Sequence, residues 1–151
     1  MTNTLVIGLG SDLRGDDSVG LVIARMLRDL VPPGTKVIEY LGDGLSLISV
    51  WQDADVVIVV DAAKSGAAPG TIHRFDDLSA PLQTQLSNTT SHAFGLEEAI
   101  ELARQLDQLP RSLVIYGIEG KSFDFGTELS AEVKQAAEDV VTQLLQEIGS
   151  E

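Results

Sequence analysis

Apolar positions along the 151-residue chain alternate between two periodicities. Short runs rich in β-branched side chains occupy Thr4 to Leu9, Thr35 to Tyr40, Asp55 to Asp61, Thr71 to Phe75 and Ser112 to Gly117. Each is too short for a helix, and glycine, proline or polar residues bound them, so strands are predicted there. Between the strands the apolar residues recur at helical spacing. Val19, Val22, Ile23, Met26, Leu27 and Leu30 form one stripe, and Leu45, Leu47, Ile48 and Trp51 a shorter one. Leu96, Ala99, Ile100, Ala103 and Leu106 form a third, and Val133, Ala136, Ala137, Val140, Val141, Leu144, Leu145 and Ile148 a fourth that Ser130 caps. Strands alternating with helices imply a mostly parallel twisted sheet of about five strands with helices on both faces. A three-layer α/β/α fold in a single domain, residues 1–151, is therefore expected. Val56 to Val60 is apolar without a break, as a central strand covered on both faces must be. The strand at Thr71 to Phe75 is a candidate for an antiparallel edge, and Asp76 to Ser91 reads as one long connection.

The first strand-to-helix connection holds the densest candidate chemistry. It runs GLGSDLRGDDSVG from Gly8 to Gly20, at the carboxyl edge of the sheet, where ligands of open α/β folds bind. A dinucleotide turn is disfavoured, because Leu13 stands where the third glycine should be and Asp12, Asp16 and Asp17 would repel a pyrophosphate. A loop this acidic suits a cation. Gly10, Gly15 and Gly20 ease tight turning in this reading, and Asp16 caps the first helix. Asp43 reads as a turn or cap residue in the second connection. Asp61 ends the third strand at the same edge, and His92 stands just before the third helix, whose dipole opposes protonation and leaves a neutral imidazole. His73, in the edge strand, is expected at the surface, and a loop with Glu119, Lys121 and Asp124 returns to the active edge. That edge would gather Asp17, Asp61 and His92, a set able to hold a divalent cation with positions left open for substrate.

Composition narrows the choice. With 44% hydrophobic residues and a net charge of −13, nucleic acid and anionic membrane are poor partners. No signal-type segment or apolar run of membrane-spanning length occurs, so the cytoplasm is the expected compartment. Cysteine is absent, which leaves oxygen and imidazole as the metal ligands, and two histidines do not make a His-rich zinc site. A phospho-receiver domain also carries an acidic pair, a later aspartate and a lysine, here Asp16 with Asp17, Asp61 and Lys121. Its pair directly ends the first strand, whereas Asp16 comes six residues after Gly10.

The motifs GLGSDLRGDDSVG, VVDAA and SHAFGL, in this order, resemble those of the hydrogenase maturation endopeptidases, which process the large subunit of nickel-iron hydrogenases. The resemblance spans nearly the whole chain. It implies Asp17 and Asp61 as metal-contacting carboxylates, His92 as the imidazole ligand and catalytic partner of both, and Asp16 as a supporting neighbour. It further implies removal of a C-terminal peptide from the precursor of a nickel-iron hydrogenase large subunit. The nickel is carried by that substrate, and a monomer suffices as the working unit. Ser11 and Ser18 depart from the family's asparagine and glycine without touching a proposed ligand. A relative that binds the precursor without cutting it is the remaining alternative.

Overall fold

The computed structural model describes residues 3–10, 15–41, 46–76, 93–124 and 128–149. Strand β1 spans Thr4–Leu9 and a 3-10 turn Gly15–Ser18, followed by α1, Val19–Leu27, β2, Thr35–Tyr40, and α2, Leu47–Trp51. Then come β3, Val56–Ala63, β4, Ile72–Phe75, α3, Ala93–Gln105, β5, Ser112–Glu119, and α4, Ala131–Gly149. The sheet order is β2-β1-β3-β5-β4. All neighbours are parallel except β4, which runs antiparallel to β5 at the edge.

The two-residue alternation of the strands creates two cores, one per sheet face. Val6, Ile58, Val60, Val114 and Tyr116 pack with α1 and α4 on one side. Leu5, Ile7, Leu9, Val57, Val59 and Ile115 pack with α2 and α3 on the other. Every residue of β3 is therefore buried, and its uninterrupted apolar run is the consequence. The α/β architecture expected from the sequence is the one observed.

Three details differ. Strand β3 continues past Asp61 through Ala62 and Ala63, which pair with Ile118 and Glu119 of a correspondingly longer β5. Asp61 thus lies inside a strand, opposite Gly117. Helix α1 stops at Leu27, where Leu30 N–H turns back to the Leu27 carbonyl ahead of two prolines, and Leu30 is left 56% exposed. Leu106 likewise falls just beyond α3 and is 53% exposed. Gly20 is not a turn residue. A Cβ there would stand 2.1 Å from the Leu9 carbonyl oxygen and 2.5 Å from that of Val60, so it is the point where α1 rests on β1 and β3. Asp43, residues 77–91 and His92 lie outside the described residues.

Candidate metal-facing site at the carboxyl edge

The end of β1 leads into the Gly15–Ser18 turn, which Gly15 enters with φ of 58°, a left-handed value that favours glycine. The Ser18 hydroxyl donates to the Gly15 carbonyl at 2.8 Å and closes the turn. Two consecutive carboxylates result, both buried and with opposite surroundings.

The expectation from sequence that Asp16 caps α1 is not met. Its Oδ2 accepts hydrogen bonds from Lys121 N–H at 2.7 Å, Ser122 N–H at 3.0 Å and the Ser130 hydroxyl at 2.9 Å, and its Oδ1 from Ser130 N–H at 2.8 Å. The N-cap position of α1 is Ser18, without a side-chain capping bond. Long-range donors outcompete the local cap because a buried carboxylate needs more acceptor bonds than one helix end supplies.

Asp17 is 7% exposed, and its Oδ1 is buried without a hydrogen-bond partner among the described residues. Leaving such an acceptor unpaired costs about 1–3 kcal/mol, more for a charged group. A bound cation would remove that cost. The backbone of Asp17 is held close to Gly10, where a Cβ would stand 2.8 Å from the Asp17 carbonyl oxygen.

Asp61 is fully buried, and its Oδ1 accepts Ala62 N–H at 2.8 Å. It reaches the same edge as Asp17 because β1 and β3 are parallel neighbours and Gly20, three residues after Asp17, abuts the carbonyl of Val60. Two members of the expected ligand set thus share one sheet edge. His92 lies outside the described residues, and among those residues no three carboxylate or imidazole side chains are grouped to hold a metal.

A second polar cluster stands farther along that edge, and sequence reasoning missed it. Glu119, 3% exposed at the end of β5, accepts the Ser65 hydroxyl at 2.6 Å, Ser65 N–H at 3.0 Å and His73 Nε2 at 3.2 Å. His73 is consequently half-buried rather than a free surface side chain. Burial alone would raise the Glu119 carboxyl, but the bonds from Ser65, His73 and the Gly66 backbone outweigh it and hold the group below the usual carboxylate range. A group with a lowered folded pKa stabilises the fold above its unfolded value, about 4.3, and loses that contribution as pH falls through the folded one. Glu119→Gln should therefore flatten the acid side of the stability profile below about pH 4.3, as read by thermal unfolding across pH.

Two cavities among the described residues lie elsewhere. One of about 490 Å³ is lined by Val56, Ser112, Arg74, Tyr116 and Glu147, and one of about 580 Å³ by Thr4, Thr35 and Asp53. Neither touches Asp17 or Asp61. In the first, Arg74 is engaged by Asp76, Tyr116 and Glu147, which ties β4 to α4.

Comparison with known proteins bears on the family and the fold. Residues 22–147 match the family model of the HycI hydrogenase maturation proteases. The hydrogenase expression/formation protein HoxM of Azotobacter vinelandii is 29% identical over 139 residues, covering 90% of this chain and 67% of HoxM. The chain spans 66% and 61% of the next two such relatives, about two thirds of the length of these proteins. The hydrogenase maturating endopeptidase HybD of Escherichia coli superposes with a TM-score of 0.86 at 25% identity, over 99% of this chain and 93% of HybD. The [NiFe] hydrogenase maturation protease HybD of Thermococcus kodakarensis gives a TM-score of 0.76 at 25% identity, over 95% and 97%. The chain belongs to the hydrogenase maturation protease family, metal-dependent endopeptidases that cleave the C-terminus of the nickel-iron hydrogenase large-subunit precursor.

Proposed function

We propose that this chain cuts a C-terminal peptide from a nickel-loaded large-subunit precursor, with Asp17, Asp61 and His92 contacting nickel that the substrate brings. The observation that carries this reading is the buried Oδ1 of Asp17, without a hydrogen-bond partner among the described residues, beside the parallel strand that bears Asp61. The protein has no cysteine, so soft thiolate ligands come from the substrate, while two carboxylates and an imidazole add harder ligands to the same ion. Family processing is nickel-dependent, and the source of the nickel in the substrate is the finer step proposed here.

The chemistry assigned to the site is hydrolysis of one peptide bond. Nickel held between substrate and enzyme aligns the scissile segment and polarises its carbonyl oxygen, and water is the nucleophile. Asp17 and Asp61 orient the ion, and their negative charge at a water-poor edge strengthens its hold. Among the described residues no helix is long and apolar enough to cross a membrane. We assign the reaction to the cytoplasm and to a monomer in one domain, since one precursor presented to one edge needs one copy.

A mass measurement on a matched precursor, incubated with this protein with and without nickel loaded, tests the reading. One C-terminal peptide should be lost from the nickel-loaded precursor and none from the nickel-free form. An intact precursor in both states would leave a binding protein that does not cut.

A further inference from the structure

Two adjacent buried carboxylates with contrasting surroundings divide the labour at this edge. Among the described residues Asp17 Oδ1 has no hydrogen-bond partner, whereas both oxygens of Asp16 are occupied. The donors to Asp16 come from residues more than a hundred positions later, Lys121, Ser122 and Ser130, and the Asp16 N–H donates in return to the Ser122 carbonyl at 2.8 Å. Gly120 completes the contact, since a Cβ there would stand 3.0 Å from the Asp16 Cβ and 2.4 Å from the Phe123 ring. The turn that carries Asp17 is therefore fastened to the described residues between β5 and α4 by the Asp16 side chain together with the Asp16 N–H.

We infer that Asp16 is a positioning residue for the cleavage: it locks Lys121, Ser122 and Ser130 onto the Gly15–Ser18 turn and so fixes the direction in which the Asp17 carboxylate meets the substrate's nickel. This rests on the function proposed above. A neutral isostere cannot replace it. In Asp16→Asn one acceptor becomes an NH₂ group, and either amide orientation turns that group toward a backbone donor, Ser130 N–H at one oxygen or Lys121 and Ser122 N–H at the other. The fastening is weakened while volume is kept, because only one carboxamide oxygen and the backbone bond to the Ser122 carbonyl remain. A misplacement of reacting groups by about 1 Å can cost about 100-fold in rate.

The test compares wild type, Asp16→Asn and Ser130→Ala on a nickel-loaded matched precursor, with amide hydrogen exchange on the free proteins. For Asp16→Asn, kcat should fall about 10–100-fold with KM nearly unchanged, and the amides of Lys121, Ser122 and Ser130 should lose protection. Ser130→Ala removes one of the donors and should lower kcat by a smaller factor in the same direction. A purely structural role would reduce the folded fraction but leave kcat per folded molecule and the three amides as they are. Unchanged kcat or unchanged protection in a folded Asp16→Asn overturns the inference. If that variant does not fold, an unaltered kcat in Ser130→Ala overturns it. Absence of cleavage by the wild type is a different outcome, since it removes the proposed function itself and with it the role assigned to Asp16.

Discussion

Asp17→Ala is expected to reduce precursor processing by more than about 100-fold, the upper end of what loss of an outer-shell partner costs a metal site, while the protein remains folded. The second half of this expectation separates a functional carboxylate from a structural one. In the free protein Asp17 Oδ1 is buried without a partner among the described residues, so its presence opposes folding by about 1–3 kcal/mol. Alanine relieves that cost and leaves a small void in exchange. The midpoint of thermal unfolding should therefore stay equal or rise, at about 2–4 °C per kcal/mol for a chain of this size. Asp61→Ala should also abolish processing, without the gain in stability, because its carboxylate already accepts Ala62 N–H inside β3. Activity and stability moving in opposite directions at Asp17 is the mark of a group kept for its substrate. Processing at wild-type rate in Asp17→Ala, measured by precursor mass against time, removes Asp17 from the site.

Gly20→Ala is expected to be the most damaging single methyl addition in the described fold. The added Cβ meets the Leu9 carbonyl oxygen at 2.1 Å and the Val60 carbonyl oxygen at 2.5 Å, and both neighbours are backbone atoms of the two central strands. A side chain could swing aside, but these carbonyls are fixed by the ladder between β1, β3 and their neighbours. Relief requires α1 to lift from the sheet, which opens the core formed by Val19, Ile23 and Leu27 against Val6 and Val60. Overpacking of this kind costs about 3 kcal/mol or more. Denaturant unfolding should show a large fall in midpoint. Since the same contact seats the Asp17 turn against Val60 of β3, residual folded protein should also process precursor slowly. A midpoint within experimental error of wild type would mean that α1 is not seated on the strands through Gly20.

Much of this arrangement was legible in the sequence because it depends on local periodicity. The unbroken Val56 to Val60 run marked the central strand, and the stripe from Val133 to Ile148, buried except for the half-buried Leu145, marked the long helix. Asp17 and Asp61 could be placed on one edge because topology alone sends parallel strand ends there. What escaped was set by contacts between distant segments. Asp16 sits where a helix cap belongs, and only the fold brings Ser130 within 2.8 Å of its carboxylate to claim it instead. Glu119 looked like a loop residue, and neither Ser65 nor His73 carries a local sign that it will bond to that carboxylate. Leu30 and Leu106 fit the helical stripes by spacing, yet each falls past the last turn, where periodicity no longer implies burial. Gly20 read as a turn residue because a glycine needed for close approach and one needed for a turn look alike in sequence.

In the proposed reaction the enzyme's carboxylates reach the nickel carried by the substrate. Nickel-edge X-ray absorption of the loaded precursor, alone and rapidly frozen with wild-type protein or with Asp17→Ala, tests it most directly. Wild type should add oxygen and nitrogen scatterers to the sulfur shell of the precursor's nickel, and Asp17→Ala should remove part of that addition. Identical nickel spectra in all three samples, under conditions where precursor and protein are bound, would contradict it.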